Sequence, residues 1–481
     1  MPNQRDVQIQ TENVLIQNHP LYYWRQRNRY YHQDLEALHR WLIPPRQRIL
    51  EIGSGTGYLL NALDPVLGVG IDHDLGIVQL AQAQFPHLLF YVQDAHNLKL
   101  EAEDPFDYIV LANTVGSLLD VQVVFEQIRA ICHPHTRVVI TYHNPLWEGI
   151  LQVASTLKQR MPLPTANWLT QKDIQNLLEL SSFEVIKLGK RLLLPRRIPF
   201  ISTLVNTFLA PLPGINALCL TEYMVARPQA LRGLNEGKET TLSCSVIIPA
   251  RNEAGNIENC VKTLPPLGSH TEIIFVEGHS SDQTWEVMQA VQAQFHETHD
   301  IKVLKQEGKG KGDAVRKGFA AATGDVLIIL DADLTVQAED MKKFFQVIAS
   351  GQCDLANGCR LVYPLSRATM PSLNRWANRF FAGLLSYILG IRIKDSLCGT
   401  KALKRQDYLT IAAHREQLGE FDPFGDFDLL LGAVKQNLKI MDIPVRYYPR
   451  LYGQSNIQHV REGLLLLKVC YFAAQKFKFH G

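Results

Sequence analysis

The sequence predicts two successive α/β domains, each with a parallel-type sheet at its centre. Three observations lead there. The chain has 481 residues, more than one ordinary core accommodates. Both halves alternate apolar runs of strand length with helical stretches, and the runs end in glycines or acids. A polar stretch containing Pro and Gly, residues 227–242, reads as a linker between them. The domains are accordingly placed at 1–230 and 243–481, with 231–242 as the joint.

Composition narrows the class. Hydrophobic content of 46% and charged content of 20% are those of a globular protein. A net charge of +2 gives no nucleic-acid signature. Eight scattered cysteines contain no C-x-x-C pair, so neither a zinc ribbon nor a disulfide framework is expected, and a reducing cytoplasm fits. The N-terminus has no basic-then-apolar signal pattern. No stretch reads as a transmembrane helix. Residues 201–220 lack charge but carry Pro211, Pro213 and Gly214, and 380–391 is too short to span. The leucine-rich segment 463–475, followed by Lys476 and Lys478, reads as buried structure or as a contact with a membrane surface.

In the first half, residues 24–42 predict a helix with Tyr31, Leu35, Leu38 and Leu42 on one face, stopped by Pro44-Pro45. A strand at 48–52 carries Glu51 and runs into Gly53-Ser54-Gly55-Thr56-Gly57, then a helix from Tyr58. Glycines in such a turn let a ligand approach the backbone closely, although the spacing is not that of a dinucleotide fingerprint. A strand at 68–71 ends in Asp72, where an acid suits a ribose diol. Strands at 89–92, 108–111 and 137–142 follow; the first ends at Asp94 and the second near Asn113. Segments 183–187 and 219–226 would form a closing antiparallel hairpin.

These motifs (ILEIGSGTGYLL, VGIDHD, YVQDAHNL, FDYIVLANTV) resemble the class I S-adenosylmethionine-dependent methyltransferases over about residues 20–230. The resemblance implies that Glu51, Gly53, Gly55 and Gly57 surround the methionine and ribose, that Asp72 holds the ribose hydroxyls, and that Asp94 holds the adenine amino group. Asn113 would lie near the methyl acceptor. No clear catalytic base for methyl transfer is legible.

In the second half, a strand at 244–249 ends before Arg251, Asn252 and Glu253, and another at 272–276 runs into Glu277. The segment GKGKGDAVRKGF is a cationic, glycine-rich loop before a helix, and its Lys311 and backbone amides would attract a diphosphate. Residues 326–330 form a continuous apolar run, read as a buried parallel strand, ending in Asp331-Ala332-Asp333. Residues two apart on an extended chain project to one side, so two carboxylates leave this strand together. They suit a hard cation such as Mg²⁺ or Mn²⁺; the alternative is a pair of solvated acids in a turn.

Together with DSLCGTKALKR, FGDFDLL and PRLYGQSN, these segments resemble the family 2 glycosyltransferases of the GT-A fold, in the dolichyl-phosphate-mannose-synthase-like branch, over about 244–460. The resemblance implies a nucleotide held by Pro249, Arg251, Glu253, Glu277 and Asp282, with Asp331 and Asp333 on a metal that binds the donor diphosphate. Asp426 would be the first choice of base and Asp428 the second. Arg446, Arg450 and Ser455, and with less support Arg360 and Lys401, would bind diphosphate or an acceptor phosphate. The chain departs from the pattern at Glu277-Gly278, Thr335 and Asn456.

The fold class expected is thus a Rossmann-like methyltransferase sheet followed by a GT-A nucleotide-diphospho-sugar transferase fold. The cofactors implied are S-adenosylmethionine and Mg²⁺ or Mn²⁺. The partners implied are a nucleotide-sugar donor and a polyprenyl-phosphate or membrane-surface acceptor, at a cytoplasmic or peripheral membrane location. Two alternatives stay open: one half as a non-catalytic binding module, or nucleotidyl transfer in the second half.

Overall fold

The computed structural model describes residues 20–100, 106–161, 167–229, 241–364, 370–415, 425, 427–450, 452 and 459–479, apart from the side chains of 372 and 459–462. The chain divides into two compact units, one running to Gln229 with the last three residues, the other from Ala230 to Lys478.

The first unit holds strands β1 (Arg48–Ile52), β2 (Leu67–Asp72), β3 (Leu89–Val92), β4 (Tyr108–Ala112), β5 (Arg137–His143), β6 (Phe183–Arg191) and β7 (Thr221–Pro228). Their order in the sheet is β3-β2-β1-β4-β5-β7-β6. The first five are parallel, and β7 inserts antiparallel between β5 and β6. Successive residues of β1 feed opposite layers. Leu50 and Ile52 pack with Ile109, Leu111, Val138 and Ile140. Ile49 packs with Leu60, Val110, Val139 and Val225 on the other face. Burial on both faces explains why these strands read as unbroken apolar runs rather than alternating ones. β3 differs: it is an edge strand, and only Phe90 is buried.

The stretch expected as one helix over 24–42 is two, Pro20–Arg27 and Arg29–Leu42. The break is at Asn28, whose side-chain amide donates to the Trp24 carbonyl at 3.2 Å. The Asn28 N–H keeps its bond to the same carbonyl at 3.0 Å, and the backbone there turns away from helical angles, with φ −105° and ψ 30°.

The second unit holds β8 (Cys244–Ala250), β9 (Thr271–Glu277), β10 (Asp300–Lys305), β11 (Val326–Ile329), β12 (Leu355–Cys359), β13 (Lys401–Lys404) and β14 (Ile440–Pro444). The order is β10-β9-β8-β11-β13-β12-β14. β10, β9, β8 and β11 are parallel; β13 runs antiparallel between β11 and β12. Val246, Ile248, Phe275, Ile328 and Leu330 centre its largest apolar cluster.

In both sheets the strand order reverses beside the first strand of the unit, at β2-β1-β4 and at β9-β8-β11. Crevices form at the carboxyl ends of strands flanking such a reversal, which is where ligands bind in open α/β sheets. Among the described residues no helix is long and apolar enough to cross a membrane.

Candidate functional site

Each unit carries its own candidate site at the reversal in its sheet. In the first, β1 delivers Glu51, which is 2% exposed. Its Oε2 has no hydrogen-bond partner, and burial pushes the carboxyl up to about 8. The turn that follows is folded by Gly53 and Ser54, whose N–H groups donate to the Ile71 carbonyl at 2.8 and 2.9 Å. Gly53 has φ +71°, and a Cβ there would lie 2.7 Å from the Thr114 side chain, so only glycine lets β1 and the turn after β4 meet. Gly55 is the opposite case: a Cβ there would touch nothing within 4 Å, leaving the backbone open to an approaching group.

Asp72, at the end of β2, accepts from the Gly55 N–H at 3.0 Å and the Asp74 N–H at 3.1 Å. Asp94 is largely exposed. The His96 N–H and ring Nδ1 donate to its Oδ1 at 3.0 and 2.7 Å, which holds the carboxyl below its usual range. Asn113 follows β4 with φ +58°, and its side-chain oxygen is buried without a partner. Ser54 Oγ is likewise buried and unpartnered. Three orphaned oxygens around one sheet edge (Glu51, Ser54, Asn113) fit a polar ligand that supplies donors. The donor set and the open face at Gly55 suit S-adenosylmethionine.

A second group lies beside Asn113. The Tyr31 hydroxyl and His143 Nε2 are 3.1 Å apart, and the polar side chains of Asn113 and Thr221 offset part of the rise that burial gives Tyr31. Burial raises Tyr31 to about 12 and lowers His143 to about 3, the latter helped by the charge of Arg160. Sequence reading placed Tyr31 on an apolar helix face and passed over His143 and Arg160. The available signal was His143 itself, a polar residue closing an apolar strand as Asp72 does.

In the second unit, β11 delivers Asp331 and Asp333 to the sheet edge, and each is met by a cation. Lys311 Nζ stands 2.5 Å from Asp331 Oδ1. Arg450 bridges two acids, with Nη2 2.7 Å from Asp333 Oδ2 and Nη1 3.0 Å from Glu253 Oε1. Thr335 donates to Asp333 Oδ1 through both N–H and hydroxyl, at 3.1 and 2.9 Å. Thus the threonine that departs from the expected pattern supports the second acid. Lys311 opens the helix Lys311–Ala321, and the preceding loop is folded back by Asp313, whose carboxylate accepts from the Gly308 N–H at 2.9 Å. Gly399 is a residue whose role the sequence did not reveal. A Cβ there would run into both Lys311 Nζ and Asp331 Oδ2.

The other expected nucleotide contacts surround the end of β8. Pro249 pairs with Val276 in the ladder and Arg251 is exposed beyond it. Glu277 accepts from the Ser280 N–H at 2.5 Å, and Asp282 accepts from Thr284 and from the Ala254 N–H. Tyr452 Oη is 3.5 Å from Asp282.

Arg360 and Lys401 do not present themselves to a phosphate. Arg360 Nε and Nη2 form a two-point pair with buried Asp395, both at 2.9 Å, and the Asn378 side chain and the Arg360 and Leu397 N–H groups also donate to that acid, at 2.8, 3.0 and 3.1 Å. This pairing holds Asp395 down to about 2. Lys401 is fully buried and donates to the Cys398 carbonyl at 2.6 Å. Both expectations are corrected: an internal counter-ion and a phosphate ligand look alike in sequence, and burial distinguishes them. Their charges nonetheless act on Asp331, which they and Lys311 hold below its usual range. Asp428 is also engaged, by Arg415 at 3.2 Å and Arg316 at 3.6 Å. Arg446 lies over the Tyr363 ring at 5.0 Å. Asp426 and Ser455 fall outside the described residues.

The second site offers carboxylate oxygens, the donors a hard divalent cation takes. Among the described residues no cluster of three or more His, Cys, Asp or Glu side chains forms a complete cage.

Residues 23–188 match the family model described as a methyltransferase domain, and residues 245–410 match glycosyl transferase family 2. The chain is 29% identical over 225 residues to glycosyltransferase AglD of Haloferax volcanii, covering 45% of this chain and 35% of that one. It is 28% identical over 223 residues to a dolichol-phosphate mannosyltransferase of Pyrococcus furiosus, covering 45% and 60%. Against the dolichyl-phosphate beta-glucosyltransferase of Saccharomyces cerevisiae the identity is 29% over 241 residues, covering 46% and 71%. The chain thus spans less than two thirds of the first two of these relatives. It joins a methyltransferase domain to a family 2 glycosyltransferase domain, two transferase classes on two α/β folds.

Proposed function

We propose that the chain is a bifunctional enzyme. The first unit transfers methyl from S-adenosylmethionine, and the second transfers a sugar from a nucleotide donor, with inversion and with a divalent metal, to a lipid-linked acceptor. The observation that carries this reading is the pair Asp331 and Asp333 at the end of a buried strand, each matched by a mobile-armed cation that also suits phosphate. A bound Mg²⁺ or Mn²⁺ would supply charge stabilisation to the departing diphosphate. Asp331 and Asp333 would hold it. Lys311 and Arg450 would exchange carboxylate for phosphate oxygens and fix the leaving group. Glu253, Glu277 and Asp282 shape the nucleotide's side of the crevice.

Asp428 bears on the acceptor. Arg415 and Arg316 already engage it, while burial keeps its carboxyl above the usual range, so an alcohol acceptor would have to compete with those guanidiniums for it. An acceptor phosphate is already ionised and needs no base. The same acceptor accounts for two exposed apolar faces. Leu373, Trp376 and Phe380 are spaced i, i+3, i+7 on the helix Ser372–Leu389. Leu464, Leu467 and Tyr471 repeat that spacing on the helix His459–Ala473, which packs against the first. Such stripes suit contact with a lipid surface, and the location proposed is cytoplasmic and peripheral to a membrane. The relatives named for dolichyl-phosphate sugar transfer agree with a polyprenyl-phosphate acceptor.

The test is release of nucleoside diphosphate from a panel of sugar nucleotides with Mn²⁺ or Mg²⁺ and polyprenyl phosphate. Metal-dependent release, absent from an Asp331→Ala, Asp333→Ala variant, supports the reading and names the donor. Pyrophosphate release from a nucleoside triphosphate and a sugar phosphate would replace it with nucleotidyl transfer. Labelled S-adenosylmethionine then tests the first unit on the glycosylated product and on the bare acceptor.

A further inference from the structure

We infer that Tyr31, His143, Asn113 and Arg160 form the methyl-acceptor site of the first unit, and that the acceptor atom is an oxyanion of a carboxylate or phosphate. The inference rests on the reading of that unit as a methyltransferase.

His143 ends β5 and lies opposite Thr221, the first residue of β7. Tyr31 reaches it from the helix Arg29–Leu42, and Asn113 reaches Tyr31 from the end of β4. The three side chains therefore gather at the carboxyl edge of the sheet, over the ends of β4 and β5. Apolar Leu151, Leu192 and Leu220, with Trp147 and Trp168, pack around Tyr31. Water is thus displaced from one side of the polar group.

Arg160 is half-buried, and among the described residues no carboxylate pairs with it. Asp34, the acid whose field reaches Tyr31, is bound to Arg191 at 2.8 Å. Burial lowers even the guanidinium's affinity for its proton. The neighbouring side chains bring no compensating charge, since Tyr31 and His143 are both neutral near pH 7. A half-buried guanidinium whose field reaches the neutral Tyr31 and His143 suits an anionic ligand.

The chemistry agrees. Methylating a neutral hydroxyl requires a base to take its proton, and a histidine lowered to about 3 beside a guanidinium does not do so at neutral pH. An oxyanion needs no base. Its lone pair forms the new O–CH₃ bond while the pair of the breaking C–S bond returns to sulfur. The oxygen's negative charge and the sulfonium's positive charge disappear together, and no proton moves. Arg160 and the Tyr31 hydroxyl would hold the second oxygen and aim the first.

The test uses the full chain with S-adenosylhomocysteine, whose binding is first established by calorimetry. The His143 ring Cε1–H signal, assigned with a His143→Asn variant, is then followed by NMR through titrations of inorganic phosphate, acetate and glucose. A saturable shift with phosphate or acetate and none with glucose is expected, and the anion that saturates identifies the acceptor as phosphate-like or carboxylate-like. Arg160→Gln should weaken that anion by about tenfold or more, and Arg160→Lys by no more than about threefold. No saturable anion shift while the cofactor product is bound would overturn the inference, as would an Arg160→Gln variant that binds the anion like the parent. Failure to bind S-adenosylhomocysteine would instead overturn the methyltransferase reading, and this inference with it.

Discussion

At the end of β1, the first unit keeps a carboxyl protonated by burying it; past the end of β11, the second keeps carboxylates ionised by matching them with cations. Glu51 has an orphaned oxygen and a proton affinity raised to about 8. Asp331, partly exposed, is drawn the other way by Lys311, Arg360 and Lys401. The carboxyl edge at the reversal of an α/β sheet therefore supports two kinds of site. One is built around a buried neutral carboxyl with orphaned oxygens beside it, so its ligand must bring the missing partners. The other is charge-matched already, so its ligand must displace something.

The largest effect should come from breaking the charged site. Asp331→Asn with Asp333→Asn should lower sugar transfer by about two to four orders of magnitude, read as nucleoside diphosphate release, and leave S-adenosylhomocysteine binding intact. Next is its internal support. Asp395→Ala strands Arg360 in the interior and should cost about 3–5 kcal/mol in denaturant unfolding of the second unit. A loss below about 1 kcal/mol would mean that Arg360 finds water instead.

Smaller effects belong to the neutral site. Gly53→Ala places a Cβ 2.7 Å from Thr114 at φ +71°, and should cost about 1–3 kcal/mol and weaken S-adenosylhomocysteine in calorimetry. The finest test is pH. Glu51 binds its proton more tightly folded than unfolded, so its stabilising share is full below about 4.5 and is lost as pH rises through about 8. Protection of β1 amides from hydrogen exchange should fall across that window in the parent and stay level in Glu51→Gln. His39 titrates oppositely: burial lowers it to about 4, so its contribution is present above 6.5 and lost as pH falls through 4. Equal alkaline loss in parent and variant would erase the contrast between the two sites.

Much of this was legible because it is local. The runs at β1, β4, β8 and β11 announce buried parallel strands, and the acids and glycines after them announce sheet-edge turns. β10, β12, β13 and β14 were not legible as strands: DIKVLK alternates charge with apolar residues, LANGC contains Asn and Gly, and KALK is four residues long. Arg360 and Lys401 were misjudged because their partners, Asp395 and a carbonyl, are set by tertiary packing. Tyr31 and His143 stand 112 positions apart and meet only because a helix before the sheet folds over the end of β5.

Arg450 has a consequence for the order of events. Its guanidinium joins Glu253, beyond β8, to Asp333, beyond β11. On the proposed reading, a bare cation arriving alone must expel a tethered arginine and a tethered lysine and give them nothing in return. A cation arriving on a diphosphate hands both of them new phosphate partners. The site is therefore expected to load metal and sugar nucleotide as one charged package, and free metal titrated without nucleotide should bind weakly.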